Sequence, residues 1–327
     1  RLRDRKVDEL AQAVEQFVLA IELDPGFAAA YSGLADACYL FHIYSGSRAH
    51  EACPIETNAT GEERSASLMP LVNKALELDD QSGEAWITRG MMLQAQVIGY
   101  PDEMPTLRAA HAAFERGLAL SPSHSQGYHW YAMSLPYIQL YDDPPHGWIE
   151  AWEQDTWQSV ARRGLEVDPL SVPLHYLLAE YGIWSKDLDA AYRHAHRIVE
   201  IAPDSSRGYE ALADLSQYES GRMDEAIKWR HKAARIDEKS PNQPSAIGDA
   251  YAALGDLEMA LAYYRRVRGI VAADATEWQH EILMAEASAW LGSRRDDADA
   301  NAGERLALSE IYDAERLEIE LSLDSPT

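Results

Sequence analysis

Apolar residues recur at three- and four-residue spacings along most of the chain, which puts one stripe of each segment inward and predicts helices. The stretch from Ala13 to Ala37, AVEQFVLAIELDPGFAAAYSGLADA, shows the pattern most plainly. Ala13, Phe17 and Ala20 share one helical face, Pro25 follows the helix, and Tyr31, Leu34 and Ala35 open the next one. Proline lacks the donor that a helix interior needs and turns the residue before it away from helix, so the turn is fixed there. Matching stops fall at Pro122, Pro169 and Pro203, with Asp80 and Glu238 where proline is missing. After the stops come bulky residues, Trp86, Tyr128, His175, Tyr209 and Trp278, each early in a helix. Small residues, Gly90, Ala132, Ala179, Ala213 and Gly248, follow where two helices need close approach. The chain is therefore expected to be all-α and built from paired helices.

This combination resembles the tetratricopeptide repeat, a helix-turn-helix unit of about 34 residues. The resemblance covers nearly all of residues 7 to 292 and implies a right-handed superhelical solenoid of about seven to eight repeats. From Pro169 to Pro203 the spacing is 34, but the three preceding intervals are 55, 42 and 47 residues. The signatures of both helices remain intact in each long unit, so the extra residues are assigned between them, near 44–63, 98–106 and 139–150. Loops at this position emerge on one edge of such an array and often build its binding face. Tyr44, His50, Tyr100, His146 and Trp148 are the candidate contacts of that edge. Residues 293–302 read as a polar linker, and 303–327 as a closing helix that caps the stack or docks to a second copy.

Composition narrows the chemistry. Fifty-four acidic against 29 basic side chains give a formal net charge of −25, a field that repels phosphate backbones and argues against direct nucleic-acid binding by this chain. No apolar run approaches the ~18 residues of a membrane span, and no signal segment is legible. The expected location is cytoplasmic, or periplasmic if a membrane anchor lies upstream. The opening residues enter almost at once into the second helix of a repeat, as in a segment of a longer polypeptide.

Cys38 and Cys53 come with His42 and His50 at spacings that a zinc site uses, and a disulfide is a second alternative in an oxidising compartment. Cys38 falls at a core-facing position where a thiol is ordinary packing, so two unpaired thiols are the expectation. His194 and His196 stand two apart on a helix and point to different faces. No phosphate loop, His-Glu-x-x-His run or nucleophile elbow is present, and neither catalytic residues, cofactor nor metal is expected. Asn58, Ala59 and Thr60 match a glycosylation acceptor by pattern alone.

First helices line the inner surface of such arrays. Aligning the units assigns Asp36, Tyr39, Glu84, Gln94, His129, Tyr176, Glu180, Arg207, Glu210 and Asp214 to groove-facing positions. This acidic, aromatic lining suits a partner segment carrying Lys or Arg with an apolar anchor, and a small ligand is a further option. The groove lacks the clustered Lys and Arg that would clamp an acidic tail.

AIELDPGFAAAYSGLADACYL, YHWYAMSL and GLEVDPLSVPLHYLLAEY resemble the tetratricopeptide regions of bacterial class III adenylate cyclases and winged-helix transcriptional regulators. That resemblance, over residues 7 to 215, implies a non-catalytic interaction or sensor domain in a bacterial signalling or transcription-regulatory protein. The alternative is a structural scaffold subunit that assembles with itself or docks in a larger complex.

Overall fold

The structure, a computed structural model, describes residues 2–45, 50–57, 59–96, 104–135, 156–184, 187–218, 222–238 and 240–270. Among the described residues the chain is all-α, with thirteen helices. They are α1 (Leu2–Leu23), α2 (Ala28–Tyr44), α3 (Gly61–Leu78), α4 (Gly83–Gln94), α5 (Met104–Leu120), α6 (Ser125–Ser134) and α7 (Trp157–Val167). Then come α8 (Val172–Trp184), α9 (Leu188–Ile201), α10 (Ser206–Tyr218), α11 (Met223–Ile236), α12 (Asn242–Ala253) and α13 (Leu257–Ile270). Even-numbered helices are the first of each repeat and odd-numbered helices the second.

Packing divides the chain into two compact units, Arg1–Leu178 and Ala179–Thr327, with α8 carrying the division. In the first unit each helix from α1 to α6 packs on its successor, and the first helices also touch one another, α2 on α4 and α4 on α6. Leu68, Val72, Met92, Leu107 and Phe114 are fully or almost fully buried in its core. In the second unit α9 to α13 pack in succession around Ile198, Leu212, Leu215 and Ile247.

The bulky residue early in each first helix has a polar task that its apolar character conceals. Tyr31 Oη donates to the Pro25 carbonyl at 3.2 Å, Trp86 Nε1 to the Asp80 carbonyl at 2.9 Å, and Tyr128 Oη to the Pro122 carbonyl at 3.2 Å. His175 Nε2 lies 3.1 Å from the Pro169 carbonyl, and Tyr209 Oη donates to the Pro203 carbonyl at 3.4 Å. Five turns thus repeat one bond across six residues. It satisfies a carbonyl that the ending helix leaves without a partner. Three of the turns add an Asx bond. Asp24, Asp79 and Asp168 accept from the amides of Gly26, Gln81 and Leu170 at 2.9 to 3.1 Å.

The small positions are as stringent. A Cβ on Gly90 would sit 2.8 Å from the Phe114 ring, and one on Gly33 would sit 2.4 Å from the Phe17 ring. Glycine there allows an aromatic ring of the paired second helix to lie against the backbone.

Two of the three long connections differ in extent from the expectation. The first spans residues 45–60, because Thr60 caps α3 in a capping box with Glu63, so 61–63 are helical. The second ends at Met104, where α5 begins, so residues 104–106 are helical too. The third joins Ser134 to Trp157, and most of it lies outside the described residues. So do the expected helix at 275–291, the linker at 293–302 and the closing helix at 303–327.

Tyr128→Phe removes one of the repeated turn bonds while keeping the ring. It is expected to lower the unfolding free energy by about 1 kcal/mol in urea titration, with unchanged helix content. Unchanged stability would deny the bond a role in holding the turn.

Candidate functional site

In the first unit the inner helices hold Asp36 on α2, Glu84 on α4 and His129 on α6. Glu84 is exposed, whereas Gln94, His129 and Tyr176 are half-buried. His129 Nδ1 lies 3.0 Å from Gln126 Nε2, and its ring meets the Trp130 ring at 5.2 Å.

Asp36 and Tyr39 are more enclosed than open groove positions. Tyr39 is buried, with the Arg64 guanidinium 4.9 Å from its ring centre and Trp130 edge-on at 6.4 Å. Asp36 reaches Thr88 on α4, and its Oδ1 is buried without a hydrogen-bond partner. Burial pushes its carboxyl up to about 7, with nearby Glu84 adding to the shift and the Thr88 bond opposing it.

In the second unit Glu180 on α8 and Glu210 and Asp214 on α10 crowd one another, with Arg207 beside them. Glu180 stands at the exposed rim, yet its carboxyl is raised, first by desolvation and then by Asp214, with Glu210 adding and Arg207 opposing. Asp214 is raised by burial and held back by Arg230, whose Nη2 donates to its Oδ1 at 2.6 Å. Arg230 is itself buried and also donates to Gln217 at 3.1 Å. Arg230 is therefore committed to Asp214 and Gln217, and Arg207 is the cation that opposes the shift of Glu180.

The insertion edge is partly visible. Tyr44 and His50 are half-buried, and Tyr100, His146 and Trp148 lie outside the described residues. The second connection begins against the start of α3, where Gln96 Nε2 donates to Ser65 Oγ at 2.8 Å and the Ala95 carbonyl lies against Gly61.

The expectation of two unpaired thiols is overturned. Cys38 and Cys53 form a disulfide, with Cα atoms 5.7 Å apart. The residues after Gly46–Ala49 fold back over α2: the Cys53 amide donates to the His50 carbonyl at 2.9 Å, and His50 packs edge-on against Phe41 at 5.0 Å. Ile55 is buried beyond it. This return brings Cys53 to a fully buried Cys38, and the bond removes both sulfurs as thiolate ligands.

The two aromatic residues after His129 differ in depth. Tyr131 is buried and stacked on Phe114 at 5.6 Å, whereas Trp130 is half-buried. His194 is half-buried, and exposed His196 stacks on Tyr192 at 6.5 Å. Sequence reasoning missed buried Arg230, whose signal was only its place beside the small-residue face of α11. It also missed buried His111, whose ring lies 3.0 Å from Ser134 Oγ and whose pKa burial lowers to about 4.

With paired helices, repeated turns and close-approach glycines established, comparison with known proteins is specific as to fold. Residues 245–267 match the model of the tetratricopeptide repeat. The fold is a tetratricopeptide-repeat array. Yeast Tom70 is similar with a TM-score of 0.58 at 14% identity, over 91% of this chain and 61% of that one. The Cut9–Hcn1 hetero-tetramer of APC/C gives 0.56 at 12%, over 88% and 47%. A tetratricopeptide repeat protein from Parabacteroides merdae gives 0.52 at 17%, over 87% and 95%. The chain thus spans about three fifths of the Tom70 chain and about half of the Cut9–Hcn1 chain it matches. No curated protein matches it. Among the described residues no helix is long and apolar enough to cross a membrane.

Asp36 has a pH signature. Its carboxyl titrates near 3.8 unfolded and about 7 folded, so between these values the folded chain binds the extra proton and stability falls as pH rises. Asp36→Asn keeps an acceptor for Thr88 without the charge. Thermal melts from pH 4 to 8 should show the variant losing less stability across this window and exceeding the parent by roughly 2 kcal/mol at pH 8. Parallel curves would contradict the assignment.

Proposed function

We propose that the chain is a non-catalytic tetratricopeptide interaction domain whose first helices hold a partner segment bearing Lys or Arg beside an apolar anchor. The observation that carries this reading is the crowding of Glu180, Glu210 and Asp214, with Arg230 committed to Asp214. A carboxylate raised by desolvation and by neighbouring acids, as Glu180 is by Asp214 and Glu210, is stabilised by an incoming cation, whose approach displaces the proton that desolvation favours. In the first unit exposed Glu84 is a further carboxylate on a first helix. Tyr176, on the same helix as Glu180, supplies half-buried surface for the anchor.

The wider setting follows from the resemblance of residues 7 to 215 to the repeat regions of bacterial adenylate cyclases and winged-helix regulators, and is proposed on that basis alone. The array then acts as the sensing arm of a signalling or transcription-regulatory protein. The disulfide bears on where that arm works. Disulfides persist in oxidising compartments, so the periplasmic side of a bacterial membrane fits Cys38–Cys53 better than the cytoplasm. Non-reducing peptide mapping of the protein taken from its own cells is expected to yield the linked peptides. Two free thiols would return the array to the cytoplasm.

A fluorescent peptide with two Lys residues flanking a Leu reports on the groove. Glu180→Gln with Glu210→Gln should weaken its binding ~10-fold at low ionic strength, with the parent's affinity rising between pH 5 and 8. Equal affinity for parent and double variant would sink the groove assignment.

A further inference from the structure

The excess of acid is not spread evenly over the second unit. Together α11 and α13 carry seven basic and three acidic residues in a chain of net charge −25, which marks them as a local reversal of the field. The acidic members near α11 are answered within the helix start. Asp224 pairs with Lys228 at 3.4 Å, and Glu225 pairs with Arg222. Lys232, Arg235 and Arg266 are exposed, and among the described residues they form no ion pair.

These cations are set among aromatic rings. Lys232 Nζ lies 4.3 Å from the Trp229 ring centre and 5.6 Å from that of Tyr209, while the Trp229 and Tyr209 rings stack at 6.0 Å. Across to α13, Tyr263 Oη lies 3.3 Å from His231 Nε2 and stacks on Tyr251 at 5.7 Å. Arg235 and Arg266 approach the same imidazole closely enough to lower its pKa beyond the effect of its burial. A cleft of about 470 Å³ along α11 is lined by Trp229, Lys232 and Arg235 together with the paired Asp224, Glu225 and Lys228. A second, of about 330 Å³, shares Trp229 and Glu225 with it and extends to Tyr192 and His196.

We propose that α11 and α13 form a docking surface for an acidic partner segment with an aromatic or aliphatic anchor, its carboxylates meeting Lys232, Arg235 and Arg266 and its anchor lying against Trp229. Charge complementarity decides the occupant. Lys232 is held by the Trp229 and Tyr209 rings, and Arg235 and Arg266 converge on His231 without an ion pair among the described residues, which favours carboxylates over a cationic or neutral segment. The cleft supplies the desolvated surface on which an anchor gains affinity. This surface belongs to the second helices, whereas the acidic groove belongs to the first, so the two select partners of opposite charge.

The test uses the whole chain and a short fluorescent peptide of Glu and Asp around one Trp, followed by anisotropy. Lys232→Ser, Arg235→Ser and Arg266→Ser combined are surface changes, and circular dichroism of the triple variant should match the parent. The acidic peptide is expected to bind the parent, to lose ~10-fold or more in affinity in the triple variant, and to lose affinity again when its Trp is replaced by Ser. A Lys-rich peptide should bind parent and variant alike. Equal binding of the acidic peptide to parent and variant would overturn the proposal. So would a zero-length carbodiimide cross-link from Lys232 to a carboxylate of residues 304–324, or to a second copy, since the face would then belong to the chain itself.

Discussion

The repeated hydrogen bond from an aromatic or imidazole side chain to a carbonyl six residues earlier is the constraint on which the hairpins depend. Each turn must end one helix, reverse the chain and start the next, and the carbonyl at its centre has no helical partner. Tyr31, Trp86, Tyr128, His175 and Tyr209 supply one from the following helix, so each turn is closed by the element it leads into. A phenylalanine would pack there and leave the carbonyl open. The rings beside the small positions come instead from second helices, Phe17 against Gly33 and Phe114 against Gly90, so the donor and the close packing are supplied by different residues.

Much of this architecture is legible in the sequence because its causes are local. Proline after Asp or Ser, a ring six residues later and a small residue beyond it are all read within one hairpin. The aromatic preference itself was visible as bulk, whereas its hydrogen bond was not, because Trp, Tyr and His share a polar edge only when their partner is known. The disulfide was illegible for a different reason. Cys38 is a core residue by pattern, and nothing in the spacing to Cys53 shows that the connection turns back over α2. The helix start at Gly61 is displaced because the capping box of Thr60 and Glu63 extends α3 into what length alone assigns to a loop.

The candidate site divides in the same way. The acidic character of the first helices follows from composition and register, and Asp214 and Glu210 lie close enough to Glu180 to raise its carboxyl. What register leaves out is depth: Tyr39 is covered by Arg64 and Trp130, and Asp36 turns toward Thr88. Net charge was the less informative number, since an overall value of −25 conceals a cationic face on α11 and α13. On the proposed reading, opposite charge on first and second helices of one unit would let a single stack distinguish partners by the sign of their side chains.

The central functional claim concerns where a cationic segment is held. Hydrogen–deuterium exchange of the whole chain, with and without a saturating Lys-flanked peptide, tests it most directly. The account predicts slowed exchange concentrated in α8 and α10, around Glu180 and Glu210. Protection confined to the second helices, or no protection while the peptide is bound, would contradict it.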